Sequence, residues 1–208
     1  MLFALLSMIL ASPTALATTP EAPEHAQAEP LRLRLEAALG TNSCINSNEG
    51  ICSGWPSSFD SQNTGGFGRL GATLFLPGPV DFLAGGLFID LGGYSAGTRT
   101  NSTSASVDFQ LAGLLRAFIP LEDEAFEFTV GLGFGLAHWS PGDAPSWTGL
   151  TIPVNLGLGY IVYEDLVIGG EVTFMPRLIG GAPHHIQGGV YVAYTMDLWW
   201  GREGARRP

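Results

Sequence analysis

The sequence predicts an all-β fold: one up-and-down barrel of eight antiparallel strands that crosses a membrane, with polar side chains packed in its lumen. Three observations predict it. Apolar residues recur at every second position through eight segments, those segments are long, and the connectors between them alternate between tight and extended.

The first segment shows the rhythm. Leu31, Leu33, Leu35, Ala37 and Leu39 alternate with Arg32, Arg34, Glu36 and Ala38. A helix scatters such residues over all sides, whereas a strand sorts them onto two faces. The second segment alternates Leu70, Ala72, Leu74 and Leu76 with Arg69, Gly71, Thr73 and Phe75. The third alternates Leu83, Leu87, Ile89 and Leu91 with Ala84, Gly86, Phe88 and Asp90. The fourth sets Val107, Phe109, Leu111, Leu115 and Ala117 against Asp108, Gln110 and Arg116. In the fifth, Phe126 to Leu136 alternate with Glu127, Thr129, Gly131, Gly133 and Gly135. Ile152 to Tyr160 alternate with Pro153, Asn155, Gly157 and Gly159, and Leu166 to Phe174 with Gly169, Glu171 and Thr173. The last segment, Val190 to Trp200, alternates with Ala193, Thr195 and Asp197.

A soluble sandwich also alternates, so length and polarity decide. A strand needs about 9–11 residues to cross a bilayer at the usual tilt, against about 5–6 in soluble sheets. One face carries almost no polar atom and the other carries charges and glycines, which is an inside-out protein. Pro77–Asp81, Pro120–Glu124 and Tyr163–Asp165 read as tight turns; 41–65, 94–105, 139–149 and 176–187 read as long polar loops. Tight turns at one end and long loops at the other place both termini in the periplasm. The rival is a membrane helix at Ala144–Tyr163, uncharged throughout, but Pro145, Pro153, Gly157 and Gly159 break it.

Composition narrows the class. Charged residues make up 13 % of the 208-residue chain and hydrophobic ones 46 %, with 29 glycines, 14 prolines and no lysine. A formal net charge of −10 argues against nucleic acid, since nothing neutralises a phosphate backbone. Residues 1–17 read as a secretory signal: Leu2–Leu10 is too short to span, and Ala15-Leu16-Ala17 offers a small-x-small cleavage site, although no basic residue precedes it. Residues 18–30 read as a flexible periplasmic lead-in, 31–200 as the barrel and 201–208 as a short periplasmic tail. Cys44 and Cys52 form a close pair, which in an exported protein reads as a local disulfide; two separate thiols are the other reading.

On this strand count and pattern, residues 31–200 resemble the small eight-stranded outer-membrane barrels of the OmpA/OmpX type. The last strand, Val190–Trp200, is similar to the C-terminal strand that the barrel-assembly machinery reads in that family, displaced here by eight following residues. The resemblance implies an outer-membrane location, contact with outer-membrane lipids and lipopolysaccharide, extracellular loops and no cofactor.

An eight-stranded barrel has room for side chains and not for a wide channel. The inward charges are Arg32, Arg34, Glu36, Arg69, Asp90, Asp108, Arg116, Glu127, Glu171 and Asp197. Chain order puts Arg69, Asp90 and Asp108 near the outer rim and Glu36, Asn155 and Glu171 near mid-height. Arg32, Arg34, Arg116, Glu127 and Asp197 fall near the periplasmic rim. Adjacency then predicts the pairs Arg116–Glu127, across one turn, and Arg34–Asp197, across the closing seam. Buried charges persist when paired, so the set reads as a structural ion-pair ladder, with a gated proton or ion path as the alternative. Inward glycines leave space for Phe88, Phe118, Tyr191 and Trp199.

Other motifs carry less. Gly131-Leu132-Gly133-Phe134-Gly135 lacks the third glycine and the following helix of a nucleotide loop. His138-Trp139-Ser140 has a His-x-Ser spacing similar to that of outer-membrane lipid A deacylases, with His138 and Ser140 facing lipid. A serine nucleophile needs a base and an orienting carboxylate, and Ile152 stands where the resemblance calls for a glutamate. His184-His185 is adjacent but lacks converging ligands for a metal. Asn101-Ser102-Thr103 matches a glycosylation acceptor without meaning in a bacterial outer membrane. The sequence therefore favours a non-enzymatic structural or surface-interaction barrel. A narrow pore or conduit is the first alternative and a lipid hydrolase using His138 and Ser140 the second.

Overall fold

A computed structural model describes residues 31–45, 64–77, 80–97, 103–121, 125–141, 146–163, 165–178 and 184–198. Nine strands appear there: β1 (Leu31–Ile45), β2 (Thr64–Phe75), β3 (Leu83–Gly97), β4 (Thr103–Leu121), β5 (Phe126–Pro141), β6 (Trp147–Thr151), β7 (Val154–Tyr163), β8 (Leu166–Met175) and β9 (His184–Leu198). Each pairs antiparallel with its sequence neighbour, except that β6 and β7 lie end to end beside β5. Antiparallel pairing of β1 with β9 closes the ring. The barrel thus has eight staves, the sixth made of β6 and β7.

Pro153 causes that interruption. It cannot donate to a neighbour, so it breaks a ladder at its own position. Its carbonyl still accepts from Gly133 N at 2.8 Å. The register of β6 and β7 on β5 is continuous, Gly135 facing Thr151 and Leu132 facing Val154.

The register sets the geometry of the barrel. From Leu33 the cross-strand partners run Leu74, Gly85, Leu115, Leu132, Val154, Phe174 and Ile186, and return to β1 at Ser43. One circuit therefore climbs ten residues, from 33 to 43. At about 3.3 Å per residue and about 4.8 Å between strands, that stagger tilts the strands about 40° and gives a backbone radius of about 8 Å. Side chains fill such an interior.

The two faces separate as their residues dictate. Leu39, Leu70 and Leu87 are 66 %, 68 % and 64 % exposed, on the outer surface. Arg34, Arg69 and Arg116 are buried inside. The inversion relative to a water-soluble fold is complete enough to identify a wall that faces lipid.

The strands run further than the hydropathy pattern predicts. The 41–65 connector loses residues to both β1 and β2, the 94–105 connector to β3 and β4, and the 139–149 connector to β5 and β6. Pro120 lies inside β4 rather than in a turn, and β9 begins within the expected 176–187 loop. Ladder hydrogen bonds need no apolar side chain, so pairing continues through Gly, Ser and Thr after hydropathy stops reporting a face. Residues 1–30, Cys52, Asn101, Ser102, Trp199 and 201–208 lie outside the described residues.

Candidate functional site

The lumen holds the polar chemistry of the molecule, and arginine organises it. Near the tight-turn end, Arg34 on β1 donates to both oxygens of Glu127 on β5, at 3.0 and 2.5 Å. Those staves are four apart in a ring of eight, so the pair spans the lumen from wall to wall. Arg116 on β4 likewise donates to both oxygens of Glu36 on β1, at 2.8 and 3.1 Å. The Arg34 guanidinium also covers the rings of Phe118 at 4.8 Å and Tyr191 at 6.0 Å. Tyr191 fits because β7 and β8 present glycine beneath it; a Cβ on Gly159 would sit 2.4 Å from its hydroxyl.

These contacts correct the adjacency pairs. Arg116 meets Glu36 and not Glu127, and Arg34 meets Glu127 and not Asp197. The stagger is the cause. Glu127 lies opposite Pro120, while Arg116 lies opposite Gly131, four positions further along the strand. Long arginine side chains instead reach residues at equal height on distant staves. Arg32 and Asp197 face each other in the register but are exposed at the rim, outside the buried set. Arg32 lies over the Phe75 ring at 5.0 Å.

Arg69 is the central hub. Its Nε and Nη2 donate to Asp90 at 3.2 and 2.8 Å, and Nη2 also donates to Gln187 at 2.6 Å. Nη1 donates to Glu171 at 2.8 Å and to Thr173 at 3.0 Å. A guanidinium has five N–H bonds, and five contacts use them. Asn155 adds bonds to the other Glu171 oxygen at 3.0 Å and to Thr173 at 2.9 Å. Phe88 and Phe67 pack against the guanidinium, with centroids at 4.8 and 5.5 Å.

A third layer lies toward the long-connector end. Beyond Pro176 the chain re-pairs briefly, Arg177 facing Thr151. That turns Arg177 inward, where it donates to Asp108 on β4 at 2.6 Å and lies over Trp147 at 5.4 Å. His185 sits 3.0 Å from the other Asp108 oxygen. Asn42 and Gln110 are fully buried in the same layer, and neither end of either amide meets a partner among the described residues.

Four arginines (Arg34, Arg69, Arg116 and Arg177) thus brace the barrel across its lumen against five carboxylates (Glu36, Asp90, Asp108, Glu127 and Glu171). Sequence reasoning missed Arg177, and saw His185 only as a metal candidate, because both fell in an expected loop. The alternation Thr173, Met175, Arg177 carried the signal, masked by Pro176. His184 and His185 point to opposite faces, as successive strand residues must. His184 Nδ1 accepts from Arg177 N at 3.0 Å on one side while His185 faces Asp108 on the other, so the two do not converge on one ion.

His138 and Ser140 both project outward from β5, as parity requires. His138 Nδ1 lies 2.7 Å from Thr148 Oγ1. The carboxylates Glu36, Asp90, Asp108, Glu127 and Glu171 are buried on the opposite face, so none of them orients that imidazole. Gly131, Gly133 and Gly135 form part of the β5 wall. Cys44 is buried and disulfide-bonded; Cys52 lies outside the described residues.

No protein-family model matches the chain, and no curated protein matches it either. Solved structures do. The chain is similar to Neisserial surface protein A, with 11 % identity, a TM-score of 0.54, and coverage of 81 % of this chain and 98 % of that one. It is also similar to the outer membrane protein OprG from Pseudomonas aeruginosa, with 11 % identity, a TM-score of 0.53, and coverage of 82 % and 98 %. At that identity the likeness is one of fold: the small eight-stranded outer-membrane barrel.

Proposed function

We propose that this chain, having the fold of the small eight-stranded outer-membrane barrels, is an integral outer-membrane protein. Its role is structural or surface-interactive: it holds extracellular loops in place and performs no catalysis. One observation carries the reading. Four arginines reach across the lumen to carboxylates on distant staves, Arg34 and Arg116 bidentately, Arg69 within a set of five bonds and Arg177 through one. That supports a braced interior over a water-filled channel. Outer-membrane lipids and lipopolysaccharide contact the wall. The C-terminal segment Val190–Trp200, whose residues up to Leu198 lie in β9, serves recognition by the barrel-assembly machinery. Both termini lie in the periplasm with the tight turns.

Unboiled protein should migrate differently from boiled protein on a denaturing gel, with a β-dominated circular dichroism spectrum in detergent. A helical spectrum refutes the barrel. With Cys44 and Cys52 removed, a cysteine at Asn101 or Gly142 should react with an impermeant label from outside intact cells, and one at Asp123 or Glu164 should not. Reversed labelling inverts the topology. In planar bilayers the protein should be silent.

The runner-up is a narrow conduit for small molecules. The buried amides of Asn42 and Gln110, which have no partner among the described residues, favour it, since such groups are normally satisfied by protein or by water. Stepwise single-channel conductance places that reading first.

A further inference from the structure

The outer wall carries a groove at the tight-turn end. Its volume is about 480 Å³, and Tyr163, Asp165, Leu166 and Tyr194 line it. Register explains its shape. Leu166 pairs with Tyr163 on one side and Tyr194 on the other. The backbones of the two tyrosines therefore stand two ladder spacings apart, about 10 Å. Leu166 is half-buried between them and forms the floor, while Tyr163 is 72 % exposed and Tyr194 49 %. Asp165 caps the groove at the turn, where its backbone carbonyl accepts from Thr195 N at 2.8 Å.

We propose that this groove holds the headgroup of a phospholipid bearing a primary ammonium, in the leaflet at the tight-turn end; the proposal rests on the membrane reading above. The Tyr163 and Tyr194 rings flank the groove on either side of Leu166, and an aromatic face attracts a cation within roughly 6 Å. The Asp165 carboxylate accepts from the ammonium, and none of the described residues that line the groove is cationic. Tyrosine hydroxyls donate to the adjoining phosphate, and the ring bodies and Leu166 meet the start of the acyl chains, which is the usual station of tyrosine at a membrane interface. An anionic headgroup without an ammonium meets Asp165 unfavourably. The chemistry selects charge and not merely apolar surface.

The full chain is folded into vesicles of equal phosphatidylethanolamine and phosphatidylglycerol, extracted in mild detergent, and weighed by native mass spectrometry. Retained phosphatidylethanolamine should exceed retained phosphatidylglycerol. Asp165→Asn and Tyr194→Leu should each lower that retention roughly fivefold. Tyr160→Leu should leave it unchanged, because Tyr160 packs at a tilt against Phe126, centroids 5.3 Å apart, and is not among the residues that line the groove. Equal retention of the two lipids, or unchanged retention in both groove variants, overturns the proposal. Loss of heat-modifiable migration in the unsubstituted chain refutes instead the barrel reading beneath it.

Discussion

Cross-lumen bracing makes a prediction that neighbour-to-neighbour pairing does not. Arg116 and Glu36 have side chains only 3 % and 4 % exposed and share two hydrogen bonds. Removing one partner strands a buried charge, at about 3–5 kcal/mol when the site is dry. Arg116→Ala and Glu36→Ala should each approach that loss. The double variant strands neither charge, so its loss should fall well short of the sum, with a coupling of about 2–3 kcal/mol. Arg116→Ala combined with Glu127→Ala is the control, because Glu127 bonds to Arg34 from the opposite wall. That pair should be additive to within about 0.5 kcal/mol. Urea unfolding in lipid vesicles, followed by tryptophan fluorescence, gives midpoints and slopes for the parent chain and the five variants. Strong coupling of Arg116 to Glu127, with none to Glu36, refutes the bracing. Additivity in both cycles shows a wet lumen and raises the conduit reading.

Arg69→Lys should destabilise the barrel by about 3 kcal/mol or more in the same assay. Lysine offers three donors where five are used, and each lost bond to a charged partner costs about 1.5–3 kcal/mol; an unchanged midpoint refutes the hub. Gly133→Ala should cost about 1–3 kcal/mol, since its Cβ would lie 2.3 Å from the Gly113 carbonyl oxygen and 2.6 Å from Leu114 Cδ2. Leu114→Ala should not rescue it, because the closer atom belongs to the backbone; full rescue contradicts that. Mass mapping without reductant should show Cys44 joined to Cys52. Reducing so short a loop should cost about 2–3 kcal/mol and leave the barrel closed; two free thiols refute the staple.

By itself the sequence determined the faces of the barrel and the number of its staves. Successive side chains on a strand point to opposite sides, so parity alone sends Leu35 to lipid and Arg34 to the lumen wherever the strand lies. The same parity placed His138 and Ser140 outward and Phe88, Phe118 and Tyr191 inward. It could not find strand ends, because Gly, Ser and Thr pair as well as leucine and leave no hydropathic trace. Nor could it show that Pro153 splits the sixth stave without shifting its register. Partnership across the lumen was decided by tertiary structure alone. Which residues share a height depends on the ten-residue climb in one circuit, a property of the closed ring and of no single strand. Arg34 and Glu127 are 93 residues apart in the chain and meet because that climb brings opposite walls level within reach of a guanidinium.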